Sequence, residues 1–428
     1  MTPQVGLNVV CTVRPDGLED TRAVLGQMSG RPGDNDLIPF GKVSGIHYAR
    51  LVMLDAATDI QGQPIPPQLL LMVDFDAPLD SRLAELVQVC GAGLDAVFGH
   101  CEGYPVADAA TPAGRLAFLQ GHSVESDAFY TNTIGRTALQ VRQEALLRDE
   151  IEAFLDAEAG WWTEDPVRVR ARIQEFVGGR PDLAWAAQPA GERDTAWLLG
   201  ELVWIVVVPV VVLAIAIILL PLVVLALLVY VVLLRMHELQ DRPSEEKPSP
   251  EHIAQLAAIE DHGPQNQFSA VGLIKPSLFR QLTARTVLFL TNYGTHHIFN
   301  HLSLAGVKTI HFARWVPLDE RRRMIFASNY DGSLESYMDD FVDKLAWGLN
   351  ATFSNGFGYP RTDFLLFGGA HDELAFKNFL RVHQVPTQVW YSVYESLTVL
   401  NIENNARIRA GLKGEMSAAE AERWLALL

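Results

Sequence analysis

Hydrophobic residues follow two patterns along this chain. Toward both ends they alternate with polar positions or form short bounded runs. QVGLNVVCTV, GIHYARLVML and QLLLMVDF do so before the middle, and FSAVGLIK, TIHFARWVPL and RMIFASNY after it. Such segments predict strands. From Leu202 to Leu234 the pattern gives way to Val, Ile and Leu unbroken by any charge. A run apolar on every side predicts a membrane segment, because a core helix keeps a polar face. As one straight helix it would measure about 50 Å, against a hydrocarbon core of ~30 Å. Pro209 and Pro221 favour a bend, and Pro221 leaves one stretch of spanning length and one shorter stretch. A helical hairpin over 198–236 is the expectation, with a single span as the alternative.

The strand-bearing segments repeat each other. HYARLVMLD (His47–Asp55) matches HFARWVPLD (His311–Asp319). Asp74–Pro105 aligns without a gap to Asn329–Pro360, which sets Asp76 on Asp331 and Gly93 on Gly348. LQGHSVESDAFYT aligns to LRVHQVPTQVWYS, with His122 opposite His383. A period this long marks a duplicated domain, not a solenoid. Each copy reads βαββαβ, with DAFYTN and TQVWYSV as the closing strands. That is the ferredoxin-like order, in which helices cover one sheet face and leave the other in need of a partner. The expected fold class is α+β: tandem ferredoxin-like lobes over 1–150 and 267–428 that form a pseudo-dimeric α+β barrel around an inserted hairpin. Such a pair resembles the dimeric α+β barrel superfamily, which includes dye-decolourising peroxidases, chlorite dismutases and antibiotic-type monooxygenases. The resemblance rests on element order and duplication, and it implies haem-dependent oxidative chemistry.

A shared barrel constrains topology. Two lobes that complete one barrel lie on one side of a bilayer, so the run between them enters and returns. A single span would send each lobe to another chain for its partner, as a homo-oligomer. Between the lobes, RQEALLRDEIEAFLDAE and DPVRVRARIQEFV read as amphipathic helices of a connector over 151–197, and LQDRPSEEKPSPEH as a polar linker within 237–266. The formal charge of −17 argues against a nucleic-acid footprint, which needs a basic face. Three cysteines, Cys11, Cys90 and Cys101, form no disulfide framework or zinc ribbon. The N-terminal residues lack a secretory pattern, so the lobes are expected on the cytoplasmic side of an inner membrane.

Candidate chemistry lies in a few clusters. GTHHIFNHLS occurs only in the second copy, and as a helix it would set His297 and His301 on one face. His296, His297 and His301 are the candidate metal ligands, and His297, His301, His383 and His311 the candidate haem contacts. The HxAR pairs, His47 with Arg50 and His311 with Arg314, stand at the start of the second strand, where His and Arg point to opposite faces. Asp76 and Asp331 stand at the start of the long helix as expected caps. SNYDGS resembles the GxxDG peroxidase motif, with Ser328 in place of the first glycine. That likeness implies a distal acid at Asp331, flanked by Asn329 and Arg314. In the first copy GHCEGYP sets His100 beside Cys101, a candidate activated thiol. GAGLDA (Gly91–Ala96) has dinucleotide-loop spacing but falls late in a helix, so it reads as close packing.

Two functions follow as expectations. One is a membrane-anchored haem peroxidase or oxygenase acting on an apolar or lipid-derived substrate. The other is a non-catalytic, membrane-tethered lipid-binding or scaffold protein.

Overall fold

The structure, a computed structural model, describes residues 3–157, 160–188, 195–299 and 301–428. It is an α+β protein with two four-stranded antiparallel sheets. The first part of the chain supplies β1 (Gln4–Thr12), α1 (Leu18–Ser29), β2 (Ile46–Leu54), β3 (Gln68–Asp76), α2 (Leu79–Phe98), α3 (Pro112–Gly121), β4 (Ala128–Thr131), α4 (Ala138–Asp156) and α5 (Pro166–Gly178). Two apolar helices, Leu199–Ile218 and Leu220–Gln240, follow and are called the first and second leg. The remainder supplies α6 (Pro250–Ala257), β5 (Gln265–Leu273), α7 (Leu278–His297), β6 (Ile310–Leu318), β7 (Arg323–Asp331), α8 (Leu334–Phe353), α9 (Glu373–His383), β8 (Val389–Ser392), α10 (Val399–Gly411) and α11 (Ala418–Leu425).

Both sheets run in the same order, and each takes its fourth strand from the other part of the chain. One is β1-β3-β2-β8 and the other β5-β7-β6-β4. Val389 pairs with Leu51, and Ala128 with Trp315. This corrects the expectation that each copy closes its own sheet: DAFYTN and TQVWYSV are strands, but exchanged ones. The two closing strands are four residues each and are largely buried in the sheets they join.

The sheets face each other across three zones. At one end Val52, Leu54, Leu70 and Met72 meet Val316, Leu318, Ile325 and Ala327. The middle is polar and holds Arg50, Asp74, Arg314 and Asn329, all buried. At the other end lie Tyr48, Phe312 and Tyr394, with His47 and His311 in ring contact. His47 and Arg50 therefore share the inter-sheet face, contrary to the regular-strand reading. Pairing slips between Ile46 and Tyr48, and again between Ile310 and Phe312. A bulge adds one residue and so reverses the facing of what precedes it.

Described residues between the two parts of the chain are held in place by buried contacts. The connector helices α4 and α5 bury Leu147, Ile151, Leu155, Val169 and Ile173 in a core shared with Ile408 of α10 and Trp424 of α11. The linker beyond the second leg is strapped down by Ser244 N–H on Gly358 O and by buried Glu260, which receives Arg381 and Gln384. Gly93 shows the close packing read from GAGLDA, since a Cβ there would lie 1.8 Å from the Leu37 carbonyl oxygen.

The two legs are each long and apolar enough to cross a membrane. The first contains a π-helical turn, Val203–Val207, just before Pro209, where the helix loses an N–H donor. The break between legs falls at Leu219, and Pro221 sits in the first turn of the second leg, where proline is tolerated.

Candidate functional site: an apolar cavity beside the legs

Both legs are fastened to α7, at opposite ends. Near the C-terminus of α7, Tyr293 donates to the Trp204 carbonyl, His297 Nδ1 lies 2.9 Å from Glu201 Oε2, and Trp204 stacks on the His297 ring. Near its N-terminus, Phe279 stacks on His237 and contacts Tyr230, while Arg280 and Lys275 bind Asp241. Phe279 and His297 are about 27 Å apart along a regular helix. The outer ends of the legs are thus splayed across one helix.

The exit of the second leg is fixed by Glu238, fully buried. Its carboxylate accepts from Thr362 Oγ1 at 2.9 Å and from the Phe364 and Leu365 N–H groups at 2.8 Å each. Phe364 and Leu365 adopt φ of +55° and +63°, a left-handed pair that Asn-Gly would take far more easily. The turn holds Phe364, Leu366 and Phe367 outward beside Arg235, the first charge within the second leg.

Between α7 and α8 lies an apolar cavity of about 250 Å³. Leu290, Gly294 and Phe299 form one wall, Phe341, Leu345 and Trp347 the other, and Trp315 of β6 the floor. Leu290 and Trp347 at its rim are solvent-exposed, as are Leu282 and Phe289 on the outer face of α7. A second, inner cavity of about 50 Å³ shares Trp315 and Thr352 with the first and reaches His383. The Trp315 indole N–H is buried and has no acceptor among the described residues.

The residues singled out by sequence fall into separate places. His297 is engaged with Glu201, His296 Nδ1 with the Asn292 carbonyl, and His301 is an exposed residue bridged to Thr133. Helix α7 ends at His297, so the expected i,i+4 face with His301 does not form. Among the described residues no three His, Cys, Asp or Glu side chains gather to hold a metal.

His311 and His47 each bind a strand-end aspartate, His311 Nε2 to Asp331 Oδ1 at 2.7 Å and His47 Nε2 to Asp76 Oδ1 at 2.9 Å. The second oxygen of each aspartate accepts from the first N–H of a later helix, Val399 of α10 and Ala138 of α4. Both aspartates do cap helices, but not the ones expected: Ser333 caps α8 and Pro78 precedes α2. The cavity beside the two histidines measures about 30 Å³.

Arg314 and Asn329 meet in the polar middle of the sheet interface. Arg314 crosses to the Leu7 carbonyl, Asn8 and Asp74, while Arg50 crosses the other way to the Phe268 and Ser328 carbonyls, Ser269 and Asn329. Burial pulls the Arg50 guanidinium down to about 10, against the opposing pull of Asp74. Arg314 pairs with Asp74 directly and Arg50 reaches it only through Asn329, a buried network rather than an open site.

Cys101 and His100 diverge. Cys101 is fully buried against Cys11, and this contact together with burial holds the Cys11 thiol far above the usual range. His100 turns toward Asp20 at 3.9 Å.

A haem does not fit these residues. It needs an imidazole free to face a largely apolar slot, and ligand pockets of that kind run to ~300–1,000 Å³. His311 faces about 30 Å³ and His383 about 50 Å³ on its enclosed side. The 760 Å³ cleft on the other side of His383 is open and lined by Arg22, Asp55, Arg323 and Gln388. Trp315 escaped the sequence reading although a signal existed: in HYARL against HFARW it stands where the first copy has Leu51.

Searches of protein-family models, curated proteins and solved structures return no match to this chain. What fold and site define is an α+β protein carrying two membrane-length helices on the helix that walls its apolar cavity.

Proposed function

We propose that this protein is a membrane-anchored binding module that takes an apolar molecule from the bilayer into the cavity between α7 and α8. The observation that carries the reading is the double role of α7, which walls the cavity and holds both legs. In this reading the two parts of the chain are tandem ferredoxin-like lobes of a pseudo-dimeric α+β barrel, joined by strand exchange. Exchange keeps both lobes on one side of the bilayer, so the legs enter and return as a hairpin. The exposed apolar face of α7 and the Phe364–Phe367 turn then rest in the membrane interface, where aromatic side chains beside an arginine are at home.

Catalysis has no comparable support, because the interior of the barrel is filled by side chains and the histidines are engaged elsewhere. The test is native mass spectrometry of the full chain released from micelles. The wild type should carry a bound apolar adduct, and Ala351→Phe, which fills the cavity from α8, should lose it. Equal adducts on both proteins would sink the reading.

A further inference from the structure

The cavity between α7 and α8 has a continuation behind Trp315. The inner cavity shares Trp315 and Thr352 with the outer one and runs along Ala270, Gly272 and Gly356 to His383. Neither cavity has Lys, Arg, Asp or Glu in its wall. An ionised group inside would be stripped of water without a counter-charge, which is strongly unfavourable. At the inner end His383 Nδ1 lies 2.8 Å from the Phe379 carbonyl, and burial pulls the imidazole below its ordinary range, so an uncharged ring closes the space. Such walls suit hydrocarbon.

The first part of the chain shows what fills this place when it is not hollow. Val13 bridges to Cys101 as Ile274 does to Gly356, and Val9 to Ser123 as Ala270 does to Gln384. Val9, Cys11 and Cys101 therefore hold the places of Ala270, Gly272 and Gly356. All three are fully buried in one continuous core, with Cys11 against Cys101. In the second part all three are smaller, and the inner cavity lies where the missing side chains would be. Trp315, larger than Leu51 in the matching place, takes back part of the volume and stands between the two cavities. The backbone does not demand the glycine of β5: the nearest atom to a Cβ on Gly272 would be His383 Cδ2 at 3.4 Å, an ordinary contact. An empty apolar void costs stability, so small residues at three neighbouring places point to an occupant.

We infer that the ligand is a linear alkyl chain that enters tail-first at the Leu290–Trp347 rim and passes Trp315 to end beside His383, and that Ala270, Gly272 and Gly356 set the length of chain the site takes. Its polar end stays at the rim, where water and headgroups are in reach. Thr352 is tied to the Gly348 and Leu349 carbonyls, whereas the Trp315 indole donates to nothing among the described residues, so it is the indole that turns aside without breaking a hydrogen bond. This inference rests on the cavity reading above and can fail while that reading stands.

The test uses the full chain in micelles of a steroid detergent, which has no alkyl chain to compete, with the alanine methyl groups isotope-labelled for NMR. Ala351 reports on the outer cavity and Ala284 on the inner one, each assigned by substitution with serine. Pentan-1-ol should shift the Ala351 methyl alone, and dodecan-1-ol should shift both. In Ala270→Val/Gly272→Cys, which restores the residues of the first part, dodecan-1-ol should still shift Ala351 and lose its effect on Ala284. Because the two alcohols are compared in the native chain, the test does not depend on the variant folding. The same spectra in phosphatidylcholine nanodiscs name the source of the chain. An Ala284 methyl already shifted there assigns it to a bilayer lipid, and one that moves only on adding dodecan-1-ol assigns it to a free single-chain amphiphile. An Ala284 methyl that dodecan-1-ol leaves unmoved while Ala351 shifts, or that pentan-1-ol moves equally, overturns the inference and leaves the cavity reading standing. No shift of Ala351 with either alcohol overturns the cavity reading itself.

Discussion

Lys275 occupies a position where burial works against its charge. It lies between β5 and α7 with its ammonium on Asp241 at 2.8 Å and on the Ser354 carbonyl at 2.7 Å. Burial first, then the neighbouring Arg280, pull it down to about 8, from an ordinary value of about 10.4. Below about 8 the folded and unfolded chains both hold the proton, and burying it costs stability. Between about 8 and 10.4 the folded chain has released it while the unfolded chain keeps it, so stability climbs with pH, by up to about 1.4 kcal/mol per pH unit. Above both values the gain is complete. Denaturant titrations in micelles from pH 7 to 10.5 should show this rise in the wild type and a flatter profile in Lys275→Met. The same rise in the variant would assign it to another group.

Among the elements, the Phe364–Leu365 turn holds two non-glycine residues in the left-handed region, at a cost of about 1–3 kcal/mol each. Replacing the pair with Asn-Gly should raise the unfolding midpoint in micelles, by about 1–2 kcal/mol in free energy once lost apolar contacts are counted. The same change should weaken retention on vesicles at high pH, as read by flotation. Unchanged flotation would mean that the turn does not touch lipid. The strands themselves were legible because, with helices on one face and a second sheet on the other, they read as short bounded apolar runs. The break near Pro221 was legible for a similarly local reason. The bulges at His47 and His311 were not, since a slip in register depends on the partner strand. Strand exchange was hidden because AFYT and VWYS are alike and nothing local tells them which second strand to join. The polar centre was half legible: the HxAR repeat flagged Arg50 and Arg314, but their crossing to the opposite sheet comes from packing two sheets together. The cavity depends on the distance between α7 and α8, which no pattern along one helix encodes.

For the whole molecule, the junction of the legs predicts how deep they go. Ile217, Ile218, Leu219, Leu220 and Leu222 surround it without a polar side chain. Its backbone is also well bonded, with Leu219 N–H on Ile215 O, the Leu222 and Val223 N–H groups on Leu219 O, and no donor at Pro221. A turn of that kind suits hydrocarbon and has nothing to offer water. In sealed vesicles Leu219→Cys should therefore resist an impermeant maleimide added to either side and react once the membrane is dissolved. The three native cysteines are buried and give little background. Rapid labelling from the far side would mean that the hairpin crosses completely.

The exchanged strands also set an order of events during synthesis. The edge of β2 waits for Val389, which leaves the ribosome only after both legs and most of the second part have been made. At cellular elongation rates the wait lasts on the order of tens of seconds. During that time the first sheet is open and the legs already seek lipid. On the proposed reading this protein finds its membrane before it finds its fold, and a nascent chain denied a bilayer would face its strongest pull toward aggregation while its first sheet still lacks an edge.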